Sequence, residues 1–196
     1  MKSKQITKKI VAGKFKGKTL KLPSKTTTRS SKAIVLESFF NTIGFEIIDA
    51  IFVEVFSGSG SVGLEALSRG AKKVIFMEKD RDALSVLKEN IAQTEPCKCE
   101  VFSGDSFSNI HAVLKQLKKN SEEAYFYIDP PFSVREGMED IYDKMIDMIA
   151  SLDKENVKLI IIEHMSGLEL PHAIESFKML KTRKFGNTTL TYFQVE

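Results

Sequence analysis

The chain is poor in the groups that staple or metallate a small protein. Its 196 residues include two cysteines and three histidines. Cys97 and Cys99 stand at C-x-C spacing with no second pair to complete a zinc site, so two inert reduced thiols on one face of a strand are expected. His111, His164 and His172 are scattered among unrelated segments and read as surface or packing residues; no metal is expected. No apolar run approaches the roughly 18 residues of a membrane-spanning helix. The N-terminus is charged but lacks the apolar stretch of a signal peptide. These absences point to a cytoplasmic protein with no membrane partner.

Acid is nearly missing from the first 38 residues, where Glu37 stands against eleven Lys and Arg. The modest net charge of +3 therefore hides a division, because the remainder carries 18 basic and 25 acidic residues. A basic arm on an acidic body suggests that the arm meets a polyanion while the body holds something else. With 42% hydrophobic residues, the body has material for one ordinary core.

In the arm, apolar and basic residues alternate around Gly13 and Gly17 from Ile10 to Pro23, which predicts a small hairpin with a lysine-covered face. A helix capped by Ser30 or Ser31 is expected to run through Ile43. From residue 51, short apolar runs (Ile51–Phe56, Lys73–Met77, Lys98–Phe102, Ala124–Ile128, Val157–Ile162) alternate with helical stretches near Gly60–Arg69, Arg81–Gln93, Ser106–Lys119 and Glu139–Ser151. That alternation predicts an α/β fold with a parallel sheet covered on both faces. Ser176–Lys184 and Thr188–Val195, joined by Phe185-Gly186-Asn187, predict a terminal hairpin that brings an antiparallel strand into the sheet. The expected division is a basic extension over 1–43 and a main domain over 44–196.

Gly58, Gly60 and Gly63 follow the first of these strands in a G-x-G-x-x-G pattern that opens a helix, the setting of a nucleotide-binding loop. Glu78 ends the next strand 18 residues after Gly60, where a carboxylate accepts from two ribose hydroxyls. Both NAD and S-adenosylmethionine carry such a ribose. Asp105, after the third strand, suits an adenine amino group or the cap of the helix beginning at Ser106. Glu54 favours the sulfonium cofactor: an acid at the strand end attracts an ammonium and repels a pyrophosphate.

Asp129-Pro130-Pro131-Phe132 follows the fourth strand. The prolines make a rigid extended loop without backbone donors, leaving a carboxylate, carbonyls and a ring. This set suits an exocyclic base amine, which donates to the acceptors while the ring stacks on the flipped base.

With those residues the chain resembles the RsmD-type 16S rRNA guanine-N2 methyltransferases. The likeness is carried by Ile10–Gly17, Thr28-Arg29, Glu37 with Phe40-Asn41, Phe56–Gly60, Gly63-Leu64-Glu65-Ala66-Leu67-Ser68-Arg69-Gly70-Ala71, Glu78, Asn90, Asp129–Phe132 and Glu163. It departs at Ser30 and Ser31, which replace a usual Pro-Thr, at Leu36 in place of an arginine, and at Glu54, where Asp is commoner. The resemblance implies a seven-stranded Rossmann-like class I methyltransferase fold, S-adenosyl-L-methionine as donor, and a guanine of 16S rRNA as acceptor. The expected setting is a 30S subunit or assembly intermediate, with a monomeric enzyme. The expected catalytic residues are Asp129, Pro130, Pro131 and Phe132. Glu54, Phe56, Ser57, Gly58, Ser59, Gly60, Gly63, Glu78, Lys79, Asp105 and Ser106 are expected to hold the cofactor. Lys14, Lys16, Lys18, Arg29 and Arg135 are expected at the RNA phosphates. Phe15 reads as packing. A DNA adenine-N6 methyltransferase is the alternative within methyl transfer. An NAD-dependent oxidoreductase explains the glycines and Glu78 but neither the proline loop nor the arm.

Overall fold

The computed structural model describes residues 6–23, 33–131 and 140–196. Two layers of helix enclose one mixed sheet. Its parallel part is β3 (Ile51–Val55), β4 (Lys73–Glu78), β5 (Cys99–Ser103), β6 (Ala124–Ile128) and β7 (Val157–Met165). The strands β3 and β6 are buried at every residue, which is why they read as unbroken apolar runs rather than as alternation. The terminal hairpin is β9 (Phe177–Phe185) and β10 (Thr188–Val195), and β10 enters the sheet antiparallel beside β7. With the two-residue β8 (Ala173–Ile174), the order in space is β5-β4-β3-β6-β7-β10-β9-β8.

Among the described residues the sheet thus has eight strands where seven were expected. The extra one is β8, the two residues Ala173–Ile174, paired antiparallel with the start of β9. Ile174 and Phe177 anchor this tight hairpin in the core, while Glu175 turns the chain with φ of 48°. Two residues are too few for a periodic pattern to show. Cys97 also differs from expectation: it lies exposed in a 3-10 turn, Pro96–Lys98, and only Cys99 is on a strand. Burial pushes the Cys99 thiol up to about 12, so it stays protonated.

The helices α2 (Ser61–Ser68) and α3 (Arg81–Ala92) pack on one sheet face together with α1 (Ala33–Ile43). Val35, Leu36, Phe39 and Phe40 of α1 are buried in the same cluster as Phe52 and Tyr127, with Phe39 5.2 Å from the Tyr127 ring. Leu36 is a core residue here, consistent with the loss of the arginine expected at its place. The helices α4 (Ser106–Asn120) and α5 (Ile141–Ala150) cover the other face. Among the described residues, no helix is long and apolar enough to cross a membrane.

The basic arm forms a hairpin, but a shorter one than its pattern suggests: β1 (Thr7–Lys9) pairs with β2 (Thr19–Lys21), and residues 10–18 are mostly turn. This hairpin is strapped to the body. The Glu65 carboxylate of α2 accepts from Val11 N (2.7 Å) and Ala12 N (3.0 Å). Asn90 of α3, fully buried, accepts from Lys21 N and donates to the carbonyls of Lys21 and Ser59, each at 2.9 Å. One amide side chain thereby ties the arm, α3 and the glycine loop together.

Sheet order places the crevice. From β3 the chain winds outward through β4 and β5, then returns to the other side of β3 as β6. At such a switch point the loops leaving the two strands diverge and open a cleft at the carboxyl ends. Here those loops begin at Phe56 and Asp129.

Candidate active site

The loop leaving β3 turns through left-handed backbone at Phe56 (φ 61°), Gly58 (φ 54°) and Gly60 (φ 75°). A Cβ on Gly63 would lie 2.6 Å from Phe76 and from Val74, so that glycine lets α2 sit down on the sheet. A Cβ on Gly58 would meet nothing within 4 Å; there the backbone faces open space. Ser57 stitches the loop to its neighbour, donating to Glu54 O (2.7 Å) and accepting from Met77 N (2.9 Å).

Glu54 is buried, and its two carboxylate oxygens accept from Val62 N (3.2 Å) and Gly63 N (2.8 Å) in the first turn of α2. A dinucleotide pyrophosphate would need those same helix-terminal amides. Glu54 already occupies them, so the glycine spacing serves a ligand without a pyrophosphate at this point. Burial pushes the Glu54 carboxyl up to about 8, against the lowering effect of the two amides and of Lys8. The folded state then holds a proton that the unfolded chain releases near its ordinary value of 4.5. Stability should therefore fall as pH rises between these values, by a few kcal/mol if the shift is fully expressed. Calorimetric melts from pH 5 to 8 are expected to show this fall, and Glu54→Gln is expected to flatten it.

Glu78 closes the neighbouring strand. Its Oε2 accepts from Gly58 N at 2.6 Å, and its Oε1 accepts from Lys79 N and Asp80 N at 2.8 Å each. Asp105 caps α4, accepting from Ser108 N at 3.1 Å, and Ser106 is buried behind it. Lys79, Asp105, Phe107, Ile110 and Ile141 line a cavity of about 470 Å³. Phe56 and Phe107 meet edge to face at 5.4 Å. Phe107 is absent from the expected set; being the second residue of an amphipathic helix, it reads in sequence as core.

Asp129 follows β6, its backbone N donating to Val55 O at 3.4 Å, and Pro130 is buried beside it. Because Ile128, the last residue of β6, stands opposite Ile162, Asp129 follows at the level of Glu163, which stays in β7 and pairs with Leu190 of β10. Tyr127 Oη donates to Glu163 Oε2 at 2.6 Å. Burial, then Glu163 and Glu54, raise the Asp129 carboxyl well above the usual carboxylate range; Lys8 opposes them. Lys8 itself reaches in from β1, its Nζ 3.3 Å from Ser61 Oγ. Desolvation lowers its ammonium while Glu163, Glu54, Glu65 and Asp129 support the charged form. Nothing in the run of arm lysines marks Lys8 as the one that enters the site.

Other expected groups stand apart. Lys14 pairs with Glu95 at 2.7 Å, and Lys18 donates to Gln93 O; both ammonium groups flank the half-buried Phe15 ring. Lys16 is exposed. Phe132, Arg135 and Arg29 lie outside the described residues. His164 is buried, with Nε2 2.8 Å from Thr191 Oγ1 and Nδ1 3.0 Å from Met165 O, so both ring nitrogens are engaged in packing.

The arrangement joins a glycine loop to a carboxylate on a proline loop at the carboxyl ends of adjacent strands. The family model described as conserved hypothetical protein 95 matches residues 8–194. A candidate rRNA methyltransferase of Bacillus subtilis, YlbH, is 29% identical over 187 residues, covering 95% of this chain and 98% of that protein. The ribosomal RNA small subunit methyltransferase D of Haemophilus influenzae is 36% identical over 124 residues, covering 63% of each. The structure of a candidate methyltransferase from Escherichia coli, yhhF, superposes with a TM-score of 0.76 at 25% identity, covering 97% of this chain and 99% of that one.

Proposed function

The chain belongs to the conserved hypothetical protein 95 family, the RsmD-type proteins, and from that premise we propose that it transfers a methyl group from S-adenosylmethionine to the exocyclic N2 amine of a guanine in 16S rRNA. The observation that carries the reading is the meeting of the Phe56–Gly60 loop with Asp129-Pro130-Pro131 at adjacent strand ends. The two named rRNA methyltransferases among its relatives support the ribosomal substrate.

The donor set fits the cofactor. Glu78 and Asp105 are acceptors for ribose hydroxyls and an adenine amine, the cavity lined by Phe107, Ile110 and Ile141 suits an apolar ring, and Gly58 faces open space. When bound, S-adenosylmethionine supplies an electrophilic methyl carbon on a sulfonium. The protein's task is positioning. Asp129 accepts from the base amine and turns its lone pair toward the transfer line, and the prolines hold that acceptor in place. The amine gains positive charge as it bonds to carbon, and Asp129, whose proton affinity is raised, stands against it to take the surplus proton. Phe132 is assigned the stacking role. The exposed Lys16, with Lys14, Lys18, Arg29 and Arg135, is assigned to RNA phosphates, so binding should weaken steeply with salt. Such an enzyme works in the cytoplasm, where 30S subunits are assembled.

Incubation with labelled S-adenosylmethionine and undermethylated 30S subunits, naked 16S rRNA or duplex DNA tests the proposal. Label is expected as N2-methylguanosine in the ribosomal substrates; exclusive labelling of adenine in DNA would overturn it.

A further inference from the structure

We propose that Lys181 and Arg183, on the outer strand of the terminal hairpin, form a second anchor for the substrate RNA and take its backbone phosphates on the side of the target base away from the basic arm. This rests on the methyl-transfer reading above and names a contact surface for that same site.

The surface is made by a β-bulge. From the chain end, β9 and β10 pair in step, with Val195 opposite Phe177 and Phe193 opposite Met179. Tyr192 then pairs with Lys181, so Leu180 has no counterpart in β10. One extra residue exchanges the two faces of every position beyond it. Without it, Leu180 and Thr182 would stand on the side of Tyr192 and Leu190, with Lys181 and Arg183 behind. With it, Lys181 is opposite Tyr192 and Arg183 opposite Leu190. Tyr192 and Leu190 belong to the core cluster under α1, so both cations emerge on the face that carries α1, α2 and the strapped hairpin. Their contacts agree. Lys181 Nζ lies 5.1 Å from the centre of the Tyr192 ring, and Arg183 Nη1 donates to Ser38 Oγ of α1 at 3.1 Å.

Position relates this pair to the chemistry. Glu163 pairs with Leu190 and Leu190 with Arg183, so Arg183 stands in the row that passes Asp129 at the carboxyl edge. Three strand spacings of about 4.8 Å put its backbone about 14 Å from that of Asp129. The arm is fastened to α2 and α3, on the β3 and β4 side of β6, whereas β9 lies on the other side. An RNA strand that hands a base to Asp129 continues in both directions from it, so the arm meets one direction and β9 the other.

Charge fits the same partner. Phe177–Val195 holds Lys178, Lys181, Arg183 and Lys184 and no acid, within a body that is acidic overall. Lys178, before the bulge, pairs with Glu196. In the arm, Lys14 and Lys21 pair with Glu95 and Glu89. Among the described residues Lys181 and Arg183 form no ion pair with a carboxylate, and a phosphate chain is the polyanion that complements them.

Salt dependence counts such contacts. Binding to undermethylated 30S subunits is measured over a range of potassium chloride for the wild type and for Lys181→Gln/Arg183→Gln. Lys115→Gln/Lys119→Gln removes the same charge from exposed positions of α4 on the opposite face. The β9 variant is expected to lower the slope of log K against log salt by about 1.4, at about 0.7 for each phosphate of a single strand. Its Kd for 30S subunits should rise by about tenfold or more at about 0.1 M salt, with the Kd for S-adenosylhomocysteine unchanged. The α4 variant should keep the wild-type slope. Ser38→Ala removes the hydrogen bond to Arg183 but not its charge, and should bind like the wild type. An unchanged slope in the β9 variant, an equal change in the α4 variant, or an equal loss in Ser38→Ala would each overturn the proposal. The methyl-transfer reading fails on a different result: a wild-type protein that binds S-adenosylhomocysteine but labels no guanine in 30S subunits would sink it, and this inference with it.

Discussion

Replacing Asp129 by alanine should lower kcat by about 10³-fold while leaving the Kd for S-adenosylhomocysteine unchanged. The magnitude follows from the division of the cleft. The cofactor side is built from the β3 loop, Glu78 and the Asp105 turn, none of which uses the Asp129 side chain for support. What alanine removes is the acceptor that aims the amine and the base that takes its proton. Asp129→Asn separates the two tasks, because an amide oxygen still accepts from the amine but takes no proton at neutral pH. If aiming dominates, asparagine should retain much of the activity; if proton removal dominates, it should fall as far as alanine. The wild-type pH–rate profile adds an independent check. Asp129 is useful as a carboxylate, and burial, then Glu163 and Glu54, hold its proton on to higher pH. The acid limb of kcat should therefore lie well above the ordinary aspartate value of about 4 and belong to the Asp129–Glu163 pair together. Alanine turnover equal to wild type would remove the proline loop from the mechanism.

Much of this cleft is readable before folding because its parts sit at strand ends. Apolar runs five or six residues long, spaced by amphipathic stretches, mark β3 to β6 to within a residue at each end, while β7 runs on from Ile162 to Met165. Whatever follows such a run in this fold must lie on the carboxyl edge of the sheet. That is why Gly58, Glu78, Asp105 and Asp129 stand out. What escapes is information carried by tertiary contact. Lys8 looks like every other lysine of the arm until Glu65, Ser68 and Asn90 strap the hairpin down and turn one side chain inward. Glu54 is legible as an acid, but its direction is not: the carboxyl turns to the α2 amides, so it excludes a pyrophosphate by occupying the helix terminus. Phe107 and Tyr127 have the pattern of core residues, and each also has a face toward the site. The two-residue β8 has no pattern at all.

Gly13→Ala is expected to release the hairpin from the body, at a cost of about 3 kcal/mol or more to its docking. The backbone at Gly13 has φ of 80°, and an added Cβ would overlap the Ser68 carbonyl and lie 2.8 Å from Arg69 N. Those are helix-terminal backbone atoms that no rotamer change can move aside. The substitution falls inside the densest part of the strap, where Lys14 N donates to Ser68 O at 2.7 Å and Phe15 N donates to Ser68 Oγ at 2.9 Å. Losing that register also takes the Val11 and Ala12 amides from Glu65, a buried carboxylate that keeps its 2.8 Å ion pair with Arg69. Gly17→Ala is the matched control. Its φ of 84° is equally left-handed, but a Cβ there meets nothing within 4 Å, so only the conformational strain of about 1 kcal/mol applies. Hydrogen exchange should show amides of residues 7–21 deprotected in Gly13→Ala and protected in Gly17→Ala. Because Lys8 leaves the site with the hairpin, Gly13→Ala should also lose RNA affinity and guanine turnover by about tenfold or more while still binding S-adenosylhomocysteine. Full turnover from a protein whose hairpin exchanges freely would show that the arm is dispensable to the chemistry; protected amides in Gly13→Ala would show that the hairpin is not seated on Ser68.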